Sequence, residues 1–409
     1  MIRRGLLIAL LPGAALAGSW EFSAPLEVTG VHGEGIFHHL ESSGRRSIAA
    51  DAERVAITWE DERDGTPRAY LASRRHQDAA FATLATPVSD TGEAYEPIIA
   101  ALGARRFALG WEGDATARVR LLSFDADGAA SLGPPLQLSS GEAGQVSLAP
   151  QGDQLLAVWT ERDGRHRRVR FARLRADAQD RLKVAAACAV DGQPASDDQL
   201  YPTLAVTQTH TVVAWEDRRP GHTIIMAAHA EADRPCPFSA PQRISEQPPG
   251  PKPPFGKGHG VSRVALASYG DGQVLAAWAD KRDFRHGYDI YGAPLQADGG
   301  FGANLRLQDD FGELSQQWHT ALAGRADGLL VAAWDDNRDR HAEIMLSWPE
   351  GDAWSDDLPV PGASGPGEQQ HPSLTFDPAG RLHLAWVHRD SPGGPTRLRY
   401  SVGRYRAGD

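Results

Sequence analysis

Val212-Val213-Ala214-Trp215-Glu216-Asp217-Arg218-Arg219 is a short apolar strand that ends in Trp and runs into a charged turn. The same sentence of residues recurs around Trp59 (AITWEDERD), Trp111 (ALGWEGD), Trp159 (AVWTERD), Trp278 (AAWADKRD), Trp334 (AAWDDNRD) and Trp386 (LAWVHRD). Successive Trp residues are 52, 48, 56, 63, 56 and 52 apart. Seven copies at this spacing mean a repeat architecture, in which each copy is one supersecondary unit.

Around Trp215 the copy resolves into four short segments: Tyr201–Val206, His210–Trp215, Thr223–His229 and Phe238–Ser245. Gly, Pro, Asp and Asn separate them, and none has the length or 3.6-residue period of a helix. The second segment is nearly all apolar, the mark of a strand buried on both faces. The residue before Trp is usually small (Gly110, Ala214, Ala277, Ala333, Ala385), which leaves room for a bulky group from a neighbouring repeat. Four-stranded units stacked radially make a β-propeller.

The chain ends predict how the ring closes. The last copy supplies Pro372–Phe376, Leu382–Trp386 and Arg397–Tyr405 and has no fourth strand of its own. FSAPLEVT at Phe22–Thr29 matches FSAPQRIS at Phe238–Ser245 in type, so the N-terminal strand is expected to complete the last blade. That pairing removes exposed strand edges. The predicted fold is all-β: a seven-bladed propeller of four-stranded blades.

Of 409 residues, 41% are hydrophobic and 23% charged, as in an ordinary globular protein. Residues 1–17 combine Arg3-Arg4, a short apolar core and Ala15-Leu16-Ala17, a secretory signal peptide too short to span a membrane. Residues 18–409 are then a single propeller domain, periplasmic or secreted. No other apolar run is long enough for a span, so no membrane span is expected. Loss of Arg3 and Arg4 takes the formal net charge from −11 to −13, which disfavours nucleic acid as a partner. Cys188 and Cys236 fall in outer parts of consecutive repeats, where a disulfide between neighbours and two free thiols are both open readings.

Repeats of the form P-x-[IL]-A, apolar strand, W-x-[DE]-x-R-D, together with Tyr288-Asp289-Ile290-Tyr291-Gly292, resemble the sialidase-like, BNR-repeat-like propellers of exported bacterial proteins. The resemblance covers Gly18 to Asp409 and is one of repeat style. It implies the fold and, for sialidases, an Arg-Ile-Pro motif, three arginines on the substrate carboxylate, a Tyr nucleophile and Asp boxes. Here Ser43-Gly44-Arg45-Arg46-Ser47-Ile48 stands at the place of Arg-Ile-Pro, with Gly44 where its Arg belongs. No intact Asp box is present, and the sialidase activity is not carried over.

The W-x-[DE]-x-R turns offer carboxylate–guanidinium pairs (Asp61/Arg63, Glu161/Arg162, Asp217/Arg218, Asp280/Arg282, Asp336/Arg338). A feature shared by most copies serves what every blade needs, so these pairs are read as structural. Function should break the repeat. Two long loops do so: Gly30–Arg46, with His32, His38 and His39, and Glu246–Arg263, with Lys257 and His259. Residues leading into the first strands would ring the channel mouth, and Arg46, Tyr95, Tyr201, Arg263, Trp318, His319 and His371 are the candidate ligand-binding set. His38, His39, His259, His319 and His371 form a candidate metal set, since imidazoles suit Zn, Cu or Ni. No cofactor is required; a transition metal there, or calcium at an Asp-Gly turn, is the alternative.

No nucleophile elbow, phosphate loop or nucleotide fingerprint occurs. The leading expectation is a non-catalytic binding or scaffold protein presenting its channel mouth to a glycan, peptide or extracytoplasmic protein. The alternative is a diverged glycan-active enzyme, hydrolase or lyase. An acidic pair with one raised pKa beside Tyr201 or Trp318 would tell the enzyme from the binder.

Overall fold

The computed structural model describes residues 18–41, 43–90, 92–246, 260–282, 287–312 and 314–408. Among them the secondary structure is all β, arranged as seven antiparallel blades in a ring. The signal peptide expected at 1–17 lies outside the described residues.

The blades' innermost strands are Ile48–Ala50, Ala94–Gly103, Ala143–Gln151, Gln199–Val206, Val261–Tyr269, Gln317–Gly324 and Glu368–Phe376, which number blades 1 to 7. In blade 4 the remaining strands are His210–Asp217, Ile224–Glu231 and Gln242–Arg243. The outermost strand is thus shorter than its sequence pattern suggested, because only two of its residues keep the ladder with Met226 and Ala227.

Ring closure is as expected from the chain ends. Thr396–Arg406 of blade 7 pairs with Ser19–Phe22 and then Leu26–Thr29, with Trp20 opposite Tyr405 and Leu26 opposite Tyr400. The strand breaks between these pieces at Ser23–Pro25, where proline has no N–H to give the ladder.

Each blade's second strand explains the packing. In blade 2, Phe107, Leu109 and Trp111 face blade 1, whereas Ala108 faces blade 3. Bulky and small faces therefore alternate around the ring, as close packing requires. A Cβ on Gly110, the residue before Trp111, would sit 2.9 Å from Val146 Cγ1 of blade 3. Seven apolar clusters result, one at each blade junction, and the one joining blades 7 and 1 (Val55, Ile57, Val387, Leu398) closes the circle.

The W-x-[DE] turns are structural in most blades. Asp61, Asp217 and Asp280 are buried and accept the indole N–H of Trp59, Trp215 and Trp278 at 2.9, 3.1 and 2.9 Å. Each also takes an arginine: Arg63, Arg219 and Arg282. Two pairings differ from the sequence reading. Asp217 is matched by Arg219, not Arg218, and Arg162 turns outward to Glu142 at 2.7 Å rather than to Glu161. Cys188 and Cys236 are disulfide-bonded (S–S 2.09 Å), stapling blade 3 to blade 4.

Candidate active site at the channel mouth

Every innermost strand except that of blade 1 carries the same irregularity near its start. The register slips between Tyr95 and Ile98, Gly144 and Ser147, Leu200 and Thr203, Ser262 and Ala265, Trp318 and Ala321, and Gln370 and Ser373. Within each slip one non-glycine residue has left-handed backbone geometry: Glu96, Gln145, Tyr201, Arg263, His319 and His371, with φ between 50° and 58°. Such bulges re-aim a side chain, and left-handed geometry at a bulky residue costs about 1–3 kcal/mol.

Neighbouring blades hold the strained amides. Glu60 accepts the N–H of Glu96 at 2.8 Å, Gln145 that of Tyr201 at 2.8 Å, Glu216 that of Arg263 at 2.8 Å and Asp335 that of His371 at 3.2 Å. Glu60, Glu216 and Asp335 each directly follow the repeat Trp, as Glu112 does. That position, the x of W-x-[DE], is the signal in the sequence for mouth carboxylates, and reading the turns by the Asp beside it misses them.

Blade 1 differs because the long loop before it dips into the channel. A Cβ on Gly44 (φ +80°) would lie 2.3 Å from Thr203 Oγ1 and 3.0 Å from Ala265 Cα, so only glycine passes there. The loop delivers Glu41 and Arg45. Arg45 is buried, and Glu41 and Glu96 both reach its Nη2, at 3.3 and 2.5 Å. Its Nη1 is buried without a partner among the described residues. The guanidinium lies 6.0 Å from the Tyr201 ring centre, and Arg263 lies 3.4 Å over the same ring. Burial pushes the Glu41 carboxyl up; Arg45 opposes the shift, Glu96 adds to it, and the group stays raised. Burial likewise lifts Glu60 to about 7, against the Glu96 N–H, and raises Glu112 and Glu216.

The other side of the mouth is aromatic. Trp318 packs on Tyr288 with ring centres 4.0 Å apart, and His319 packs on His371 at 3.9 Å. Burial works against a charged His319, but Asp335, 2.7 Å from its Nδ1, more than offsets this and its pKa is raised. Burial and the neighbouring His319 pull His371 down to about 3, so it stays neutral.

Of the candidate binding residues, Tyr201, Arg263, Trp318, His319 and His371 come together here. Tyr95 stands at the rim, its hydroxyl 2.8 Å from Glu93. Arg46 turns the other way, down the channel, with Nη2 3.4 Å from the carbonyls of Leu266 and Leu322. The candidate metal histidines separate. Buried His38 lies beside exposed His32 and buried Asp61, their ligand atoms within 4.8 Å of one another, though Asp61 is already held by Trp59 and Arg63. His39 pairs with Glu60 through the backbone. His259 lies outside the described residues. Among the described residues, the groups of three or more metal-type ligands at that spacing do not include His39, His319 or His371.

The site brings together groups suited to acid–base chemistry. It has a carboxyl whose pKa is raised beside a second carboxyl, a phenol under an arginine, an imidazole paired with a carboxylate, and aromatic faces.

No protein-family model matches the chain, and no curated protein matches it. Solved structures do. An ulvan lyase of polysaccharide lyase family PL25, bound to a GlcA–Rha3S unit, matches with a TM-score of 0.57 and 8% identity over 92% of this chain and 95% of that one. Polysaccharide lyase Uly1 matches with a TM-score of 0.55 and 9% identity over 93% and 99%. A Penicillium chrysogenum α-L-arabinanase covers 93% and 98% at 11% identity, with a TM-score of 0.48. At such identities the likeness is one of fold. The expectation of a non-catalytic binder or scaffold is nonetheless overturned. The two lyase propellers are glycan-active enzymes, and the mouth holds a raised carboxyl, Glu41, on the Arg45 guanidinium that lies 6.0 Å from the Tyr201 ring centre.

Proposed function

We propose that this protein is a glycan-active enzyme, a hydrolase or lyase, working at the channel mouth. The observation that carries the reading is the Glu41–Arg45–Glu96 group: two carboxyls on one guanidinium, one with a raised pKa, beside Tyr201. In this reading Glu41, its pKa raised by burial, is the general acid. Glu96 is its partner carboxyl, and Arg45 and Arg263 hold an acidic or hydroxyl-rich sugar. Tyr201, under Arg263, and the His319–Asp335 pair complete the proton-handling groups, with Trp318 as a stacking face. Sialidase chemistry is not part of the proposal, since Gly44 replaces the motif arginine. Export by residues 1–17 fits the disulfide, which persists in oxidising compartments.

The test is turnover of a panel of neutral, uronate-containing and sulfated polysaccharides. Reducing ends report chain cleavage, and ultraviolet absorbance of a new double bond reports elimination. Cleavage of one class, lost in Glu41→Gln and Tyr201→Phe, supports the reading. Absence of cleavage across the panel, or full activity in both variants, refutes it.

A further inference from the structure

The opposite end of the channel holds a second, chemically different cavity of about 670 Å³. Its walls are the far ends of the innermost strands and are largely small or apolar, including Ile48, Ile99, Ala101, Leu148 and Phe376. A volume and lining of this kind suit a small ligand. Arg46 forms part of it, reaching from blade 1 toward blades 5 and 6.

Arg46 is singular among the charged groups here. Its contacts are two long hydrogen bonds to carbonyls, its Nε is buried without a partner, and no carboxylate lies within ion-pair distance among the described residues. Burial lowers its pKa and no neighbouring charge opposes the shift. Arginine nevertheless stays charged, so the cavity carries a half-buried cation with no carboxylate of its own among the described residues. The acidic residues in the lining are already committed. Asp51 accepts three backbone N–H groups, from Glu53, Arg54 and Arg105. Asp327 pairs with Arg325, and Asp377 with Arg381 and His383. They leave Arg46 as the group that recruits an anion.

We propose that this cavity is a binding site for a small carboxylate with an apolar body, its carboxylate on Arg46 and its body against Ile48, Ile99, Leu148 and Phe376. A planar guanidinium matches a carboxylate's two oxygens, and the walls favour a hydrocarbon or aromatic remainder. The site is distinct from the channel mouth and does not depend on what the mouth catalyses.

The experiment is calorimetric titration of the full protein with benzoate and hexanoate, against the uncharged benzamide. The expected result is saturable one-to-one binding of the carboxylates, with benzamide at least tenfold weaker. Binding should fall at least tenfold in Arg46→Gln and in Ala101→Phe, which narrows the cavity without touching the cation. Should Arg46→Gln fail to fold, the Ala101→Phe variant carries the test. No saturable binding, equal binding of benzamide, or unchanged binding in Ala101→Phe would overturn the proposal and leave Arg46 as a brace across the channel.

Discussion

Arg45 and Arg46 are neighbours in sequence and opposites in circumstance. Arg45 turns to the mouth, where two glutamates more than offset its burial and raise its pKa. Arg46 turns to the other end, where burial acts alone. The contrast extends to the two faces around them. At the mouth, bulges in six blades aim polar side chains inward and carboxylates from adjacent blades hold the strained amides. At the far end the walls combine small and apolar residues with Asp51, Asp327 and Asp377, each already held by its own partners. The left-handed side chains cluster at the mouth, which is where chemistry is expected.

The largest effect should come from the mouth itself. Glu41→Gln keeps the shape but removes the proton, and turnover should fall about 10²–10⁴-fold, as for loss of a general acid. A drop of less than threefold would remove Glu41 from the chemistry. The next experiment separates scaffold charge from site charge. Asp217→Ala strands the buried Trp215 indole N–H, while Arg219 keeps Asp191 at 2.7 Å, and should lower stability by about 1–3 kcal/mol in urea unfolding. Arg162→Ala breaks only an exposed pair and should leave the unfolding midpoint nearly unmoved.

Smaller effects appear as pH dependence. Asp335 raises the His319 pKa, so His319 contributes stability that is full below its unfolded value and lost as pH rises through its folded one. Asp335→Asn should bring that pKa down in an NMR titration; an unmoved value would break the assigned pair. Glu60 has a folded pKa of about 7 against an ordinary 4.5. The folded state therefore keeps a proton that the unfolded chain releases, and stability from this group falls as pH rises through that window. Denaturation at pH values on either side should show a fall that Glu60→Gln flattens. An identical slope in the variant would mean that other carboxyls, Glu112 and Glu216 among them, set it.

The fold was legible because it is written seven times. Trp, the apolar strand before it and the small residue at its shoulder answer to packing that every junction repeats, and FSAPLEVT showed which strand the last blade borrows. The site was only partly legible. Tyr201, Arg263, His319 and His371 stood at one repeat position and could be placed together. Glu41 could not, because it reaches the channel through a loop with no counterpart in other blades. Arg46 was assigned to the mouth, and it is Arg45 that faces it. Which of the two faces the mouth is decided by Gly44, whose close passage against Thr203 and Ala265 fixes the register of the loop. The histidines were gathered by residue type alone, and the blades hold His38 and His319 in separate hydrogen-bonded groups.

The most direct test of the central claim is the structure of the Glu41→Gln protein with an oligosaccharide from a polysaccharide that the wild type degrades. The expected result is a scissile linkage lying over the substituted side chain, Arg45 and Tyr201, with a sugar ring against Trp318. Sugar bound in the far cavity beside Arg46, or along a blade's outer edge with the mouth vacant, would contradict it.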